Sequence, residues 1–262
     1  MTAAPGAHSV PLVEGFDLTV DGGVGTLVID RQDRRNALSR AMWHALPGIV
    51  AAVDEDPSIR VLVLTGAGDH FSAGSDIHDL DVPLPDFWAT NAEAEAVLAE
   101  CRIPTIAAIR GTCVGGGTEL ACACDFRIAA PGSRFGVTAA KLGLVYPPGP
   151  TRRLAQVVGT GWAKYLLTTG NLIDTERADR LGLLHEVSED PLTAAYALAA
   201  TITSRSPLSQ TASAHLLAGH DFTADQLDWL AGAYAQEITE GQAAFFERRP
   251  PEFTLGRTDF PT

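Results

Sequence analysis

The stretch Thr105-Ile-Ala-Ala-Ile-Arg-Gly-Thr-Cys-Val-Gly-Gly-Gly-Thr-Glu-Leu120 runs from a strand, through a short linker, into three consecutive glycines standing where a helix should begin. Glycine at that point lets backbone approach a ligand closely. A helix start also offers unpaired N–H groups and the positive end of the helix dipole, which suit a developing negative oxygen. A plain tight turn is the other reading of the same residues. A second segment, Gly66-Ala-Gly-Asp-His-Phe-Ser-Ala-Gly-Ser-Asp76, also follows a strand and carries small residues where a ligand could lie against backbone. Neither segment is a nucleotide loop, because the first strand is not followed by G-x-G-x-x-G and no Lys-Ser/Thr follows the glycines.

Outward from this stretch the pattern is strand, connection, helix. Residues 1–15 read as a flexible lead. Phe16-Asp-Leu-Thr-Val20 and Gly25-Thr-Leu-Val-Ile29, joined through Gly-Gly, read as a hairpin. A helix follows from Asn36 to about Asp54, with Ser39 as its cap and Met42, Leu46, Ile49 and Val53 along its apolar face. Arg60-Val-Leu-Val-Leu-Thr65, Thr105-Ile-Ala-Ala-Ile109 and Phe126-Arg-Ile-Ala129 are continuous apolar runs, as expected of strands covered on both faces. Alternation of this kind indicates an α/β fold. From about Gly161 onward strands essentially stop and alanine-rich helices take over at 190–204, 208–218 and 223–248, so residues 16–190 form the core and 191–262 a helical C-terminal region. No internal repeat is visible.

Composition agrees with one packed enzyme-sized unit. At 262 residues, roughly three quarters of the unfolded surface can be buried. The 46% hydrophobic and 19% charged content argues against disorder. A formal charge of −13 excludes a basic field for nucleic acid or an anionic membrane surface. Cys101, Cys113, Cys122 and Cys124 lack zinc-site spacing and read as reduced, buried thiols, and no metal is expected. No run reaches membrane-span length and the start lacks a signal pattern, so a cytoplasmic protein is expected.

Six landmarks lie along the chain in order: Arg34-Arg-Asn-Ala-Leu38, Phe71-Ser-Ala-Gly-Ser-Asp-Ile77, Ile103-Pro-Thr-Ile-Ala-Ala-Ile-Arg-Gly111, Gly115-Gly-Gly-Thr-Glu-Leu120, Cys124-Asp-Phe-Arg-Ile-Ala129 and Arg180-Leu-Gly-Leu-Leu184. Together they resemble the crotonase, or enoyl-CoA hydratase/isomerase, family over roughly residues 16–253. The resemblance implies a crotonase-like core of stacked ββα turns, a helical C-terminal trimerisation region, and assembly as a homotrimer or a dimer of trimers. It implies an acyl-CoA substrate, with coenzyme A part of that substrate and no separate cofactor. It places an oxyanion hole at the backbone N–H groups of Ser75 and Gly116. It places the coenzyme A contacts at Arg34, Ala37, Ala73, Asp76, Ile77 and Gly115, with Arg248 and Arg249 as further guanidinium candidates.

The same resemblance puts Glu119 at the family's first catalytic glutamate. A carboxyl facing an apolar pocket suits proton transfer near neutrality, although a helix-start carboxylate serving the dipole is the alternative. An ungapped match to Phe135-Gly-Val-Thr-Ala-Ala-Lys-Leu-Gly143 puts Ala139 at the second acid, which is therefore absent. Tyr146, in Leu144-Val-Tyr-Pro-Pro148, is similar to the tyrosine of the methylmalonyl-CoA decarboxylase branch, or else packs as an ordinary aromatic residue. His70, His78 and Lys141 rank below Glu119 as proton donors, and Phe87 and Trp88 suggest a bulky wall for the acyl group. Three readings follow: an enoyl-CoA hydratase-like enzyme using Glu119, an acyl-CoA decarboxylase using Tyr146, and a noncatalytic thioester-binding protein. The last is motivated by Ala139 and by Gly149-Pro150, where the family often has two glycines.

Overall fold

The computed structural model describes residues 12–261. Of the expected N-terminal lead, residues 1–11 lie outside the described residues. In chain order the elements are β1 (Phe16–Asp21), β2 (Val24–Ile29), α1 (Arg40–Glu55), β3 (Val61–Gly66), α2 (Leu84–Ala99), β4 (Thr105–Ile109), β5 (Thr112–Val114) and α3 (Gly116–Ala123). They continue with β6 (Phe126–Ala129), β7 (Arg134–Gly136), α4 (Ala139–Leu142), α5 (Pro148–Thr169), β8 (Ile173–Asp174), α6 (Thr175–Arg180) and β9 (Glu186–Val187). The helices α7 (Pro191–Thr203), α8 (Pro207–Leu217) and α9 (Ala224–Glu247) complete the chain.

The strands form two sheets, ordered β1-β2-β3-β4-β6-β9 and β5-β7-β8. The β1/β2 hairpin and the β7/β8 pair are antiparallel, and the other strand pairs are parallel. Consecutive strands β4 and β5 belong to different sheets, as do β6 and β7, and each such pair is followed by a helix. The earlier turns of chain keep the same plan with single bridges, Ser72 to Cys113 and Leu38 to Ser75, standing in for the second strand. The chain therefore winds as a spiral of strand, strand and helix, a mixed α/β fold in which the topology repeats although the sequence does not.

Why β3 and β4 read as unbroken apolar runs is visible in their faces. Val61, Val63, Ile106 and Ala108, with Ile128 of β6, point to one side, where Ala195, Ala199 and Ile202 of α7 cover them. Leu62, Leu64, Ala107 and Ile109 point to the other side, into the main core. Both faces of the strand period are thus filled. Helix α1 starts where its sequence indicates: the Ser39 hydroxyl accepts from the Met42 N–H at 3.3 Å. Met42, Trp43, Leu46, Ile49, Val50 and Val53 are buried along one stripe, each worth about 1.5–3 kcal/mol for the larger aliphatic side chains.

Strands do not stop at Gly161. That residue lies inside α5, whose helical path breaks at Gly159 (φ 77°, ψ 152°), and β8 and β9 follow it. Two-residue strands carry too little periodicity to be read from a sequence. Arg127 of β6 is a structural pin at this junction. Its buried guanidinium donates to the carbonyls of Leu183 (2.7 Å), Cys124 (2.6 Å) and Ala121 (3.2 Å), tying the end of α3 to the segment before β9. Positive charge there also complements the C-terminal end of the α3 dipole.

Candidate active site

The two small-residue segments meet. Residues 34–38 and 73–77 run side by side: the Ala73 N–H donates to the Arg35 carbonyl (3.0 Å), Leu38 to Gly74 (2.8 Å) and Asp76 to Leu38 (2.8 Å). Asn36 secures this strip. Its backbone is left-handed (φ 58°) and its side chain is fully buried, accepting from the Arg31 N–H and donating to the Ala67 carbonyl. The Ser72 hydroxyl donates to the Asn36 carbonyl (2.8 Å) and accepts from the Gly74 N–H (3.1 Å). The segment is held by backbone and buried polar bonds, not by the side chains of Ser75 or Ile77, the latter of which is exposed.

Gly74 brings this strip against the start of α3. With φ at 96°, a Cβ built on it would lie 2.7 Å from the Val114 carbonyl oxygen and 2.8 Å from the Gly116 nitrogen. A Cβ on Gly116 would in turn lie 2.6 Å from the Trp43 ring and 3.3 Å from the Ser75 nitrogen. Only glycine at these positions permits such an approach. Among the described residues neither the Ser75 nor the Gly116 amide has a protein acceptor, and Gly116 is the first residue of its helix, where an N–H is left over. Gly115 (φ 57°) supplies the sharp entry; its N–H donates to the Gly136 carbonyl, and its own carbonyl accepts from the Glu119 N–H.

Glu119 lies one turn into α3, buried, with its Oε1 unpaired. Burial first, and then the charge of Glu95, push its carboxyl well above the usual carboxylate range, while the Tyr146 hydroxyl pulls the other way. Tyr146 packs against the main core and donates to the Gly115 carbonyl at 3.2 Å. Burial and Glu119 push the phenol well above its ordinary value, so it stays a neutral donor. Ala139 is buried at the start of α4 and brings no ionisable group.

Beside Ser75 opens a cleft of about 340 Å³ lined by Leu38, Trp43, Leu80, Phe87 and Asn91, with Arg40, Asp79 and Asp86 toward its rim. Gly116, Glu119 and Tyr146 are not part of its wall. Phe87 meets the expectation of a bulky wall. Trp88 turns its indole N–H to the Val145 carbonyl (2.8 Å) and does not line the cleft.

Several candidate residues are engaged elsewhere. The Asp76 carboxylate is held by His78 (2.9 Å) and Arg31 (3.1 Å), which keep it below the usual carboxylate range. His78 is therefore a partner of that loop, and His70 spends its Nδ1 accepting the Thr112 N–H. Arg249 is bound by Glu240 (2.6 Å) and Glu247 (2.7 Å), which leaves its guanidinium committed, while Arg248 caps α9 in a left-handed conformation. Arg34 reaches only Asp33, at 3.4 Å, and is half exposed. Among the described residues no cluster of three His, Cys, Asp or Glu side chains could hold a metal.

The enoyl-CoA hydratase/isomerase family model matches residues 19–256, nearly the whole described chain. This chain belongs to the enoyl-CoA hydratase/isomerase family. It is 33% identical over 254 residues to the crotonyl-CoA hydratase of Syntrophomonas wolfei, covering 92% of this chain and 98% of that one. It is 35% identical over 250 residues to a protein of Mycobacterium bovis named as a probable enoyl-CoA hydratase, covering 89% and 95%. Among solved structures, an enoyl-CoA hydratase/carnithine racemase of Magnetospirillum magneticum superimposes with a TM-score of 0.85 at 31% identity, covering 93% and 96%. Membership accounts for the spiral of ββα turns and for the two small-residue segments at its centre. The chain is an enzyme of the enoyl-CoA hydratase type, and no helix among its described residues is long and apolar enough to cross a membrane.

Three residues at the centre of this family site escaped the sequence reading: Trp43, Asn91 and Glu95. Trp43 was legible only as part of the apolar stripe of α1. Asn91 and Glu95 did leave a signal, because Asn91, Ala94, Glu95 and Leu98 follow the i, i+3, i+4, i+7 spacing of a buried helix face. Two polar residues on such a face mark a site.

Proposed function

We propose that the protein converts acyl-CoA thioesters through an enolate held by the Ser75 and Gly116 N–H groups, with Glu119 exchanging the proton. The observation that carries this reading is the convergence of two amides lacking protein acceptors beside a buried carboxyl with an unpaired oxygen. In hydration, a water oxygen bonds to Cβ, charge moves onto the thioester oxygen, and protonation at Cα ends the reaction. Donors already oriented at that oxygen stabilise the charge by several kcal/mol, because nothing must reorganise when it forms. A neutral Glu119 near pH 7 can deliver the proton. Coenzyme A enters as part of the substrate, its backbone contacts falling along the strip of Arg34, Ala37, Ala73, Asp76, Ile77 and Gly115, and the chemistry needs no further cofactor.

Tyr146 favours a second reading. Its hydroxyl bonds the carbonyl of Gly115, next to the proposed hole, where it could turn to a substrate carboxylate, and loss of carbon dioxide would generate the same enolate. Crotonyl-CoA and methylmalonyl-CoA assayed in parallel separate the two. Glu119→Gln is expected to reduce hydration by roughly 10²–10⁴-fold; unchanged turnover refutes the role of Glu119. Tyr146→Phe should spare hydration and coenzyme A binding, and abolish decarboxylation if that reaction is the native one. Binding of acyl-CoA without conversion of any thioester would leave the noncatalytic reading.

A trimer, alone or paired, fits the exposed Leu227, Tyr234, Ile238, Phe245 and Phe246 of α9, which form more apolar surface than a monomer usually displays. Light scattering that finds only monomer at micromolar concentration refutes it. The four cysteines are free, three of them buried, and suit the reducing cytoplasm.

A further inference from the structure

Glu95 is a buried glutamate that the proposed chemistry leaves unused. It stands on α2, 3% exposed, one helical turn beyond Asn91, which lines the cleft beside Ser75. One carboxylate oxygen accepts from Arg153 of α5. The other faces Gly149, where a Cβ would come within 3.2 Å of it. Gly149 precedes Pro150 in the first turn of α5, so the glycine leaves room for this carboxylate. Helix α2 packs on both α3 and α5, and Glu95 is thereby placed between the helix that bears Glu119 and the helix that bears Arg153.

We propose that Glu95, ion-paired to Arg153, is the second carboxylate of this site, and that it positions the proton on Glu119 in place of the acid that Ala139 does not supply. The proposal rests on Glu119 being the acid/base. Two buried carboxylates facing one another do not both ionise readily, and the one with a guanidinium partner keeps the charge. Glu95 has Arg153; Glu119 has an unpaired oxygen and only the Tyr146 hydroxyl as a neighbour able to donate. The remaining groups around the pair are Cys113 of β5, Cys122 on α3 itself and Arg127 of β6. Burial keeps the two thiols neutral, and the Arg127 guanidinium is committed to three carbonyls. Glu95 is therefore a positioning residue acting through Glu119, and its charge decides which form Glu119 takes at working pH.

The test is the pH–rate profile of thioester turnover for the parent, Glu95→Gln, Glu95→Asp and Glu119→Gln proteins. The negative charge of Glu95 disfavours ionised Glu119, so removing it lets Glu119 ionise at lower pH. The limb that reports Glu119 should move down by roughly one pH unit in Glu95→Gln. In Glu95→Asp, which keeps a carboxylate for Arg153 but withdraws it by one methylene, the limb should move less and in the same direction. Variants that keep the parent limb, or that do not fold, assign Glu95 to holding α2 against α5 and overturn the proposal. Glu119→Gln distinguishes the two failures: parent turnover in that variant removes the acid/base reading itself, whereas lost turnover with unmoved limbs removes only the role of Glu95.

Discussion

Replacing Gly74 by alanine tests whether the two backbone segments must touch for the enzyme to work. The new methyl would sit 2.7 Å from the Val114 carbonyl oxygen and 2.8 Å from the Gly116 nitrogen, in a backbone at φ 96°. Both neighbours are main chain, so the segments themselves must part. The left-handed conformation costs roughly 1–2 kcal/mol for a residue with a Cβ, and forcing a methyl into a closed contact adds about 1–3 kcal/mol. At roughly 2 °C per kcal/mol for a chain of this size, the melting midpoint should fall by about 4–10 °C. Gly132→Ala supplies the control, since Gly132 has φ 79° but nothing within 4 Å of a new Cβ. It should lose only the conformational part, about 2–4 °C, and keep full activity. In Gly74→Ala, a displacement approaching 1 Å between the Ser75 and Gly116 amides should lower kcat by about 10²-fold. Loss of the enoyl thioester absorbance measures kcat, and calorimetry or circular dichroism the midpoint. A folded Gly74→Ala protein with the parent kcat would refute the reasoning that the approach of these segments builds the site.

Glu119 also makes stability depend on pH. Its folded carboxyl titrates above its unfolded value, so the folded state holds the extra proton and stability falls as pH rises from the ordinary glutamate range through the raised value. Glu119→Gln should remove that slope, and melting curves from pH 4 to pH 8 should show the variant gaining on the parent as pH increases; parallel curves would contradict the burial described. Arg127→Met should cost roughly 3–5 kcal/mol by leaving three buried carbonyls without a donor, while leaving KM for the thioester near the parent value. A midpoint within 2 °C of the parent, a margin of about 1 kcal/mol, would show that those carbonyls find other partners.

The strands and helices nearest the site were the most legible parts of the chain. Thr105–Ile109 and Phe126–Ala129 were readable to the residue because both faces of each strand are buried and their composition shows it. Ser39 announced α1 through a local hydrogen bond that depends on no distant residue. The spiral was harder to see, since its repeat consists of strand pairing and not of recurring side chains, and two of its pairings are single bridges at Leu38 and Ser72. At the site, Glu119 and the glycines were recognisable from their motif. Glu95 was not, because its significance comes from Arg153 and Gly149, more than fifty residues away and adjacent only after folding. Likewise, nothing local distinguishes Arg249, bound by Glu240 and Glu247, from an arginine left free for phosphate.

The Ser75 and Gly116 amides belong to successive windings of the spiral, so the gap between them is the interlayer spacing of the coil. A catalytic distance set in that way is inherited from the whole stack and is insensitive to which side chains stand nearby. Substitution at positions such as 95, 139 or 146 can then redirect proton traffic while the anion receptor stays intact. The architecture separates a conserved recognition geometry from an interchangeable reaction programme, and this chain, with alanine at 139 and glutamate at 95, occupies one setting of that programme.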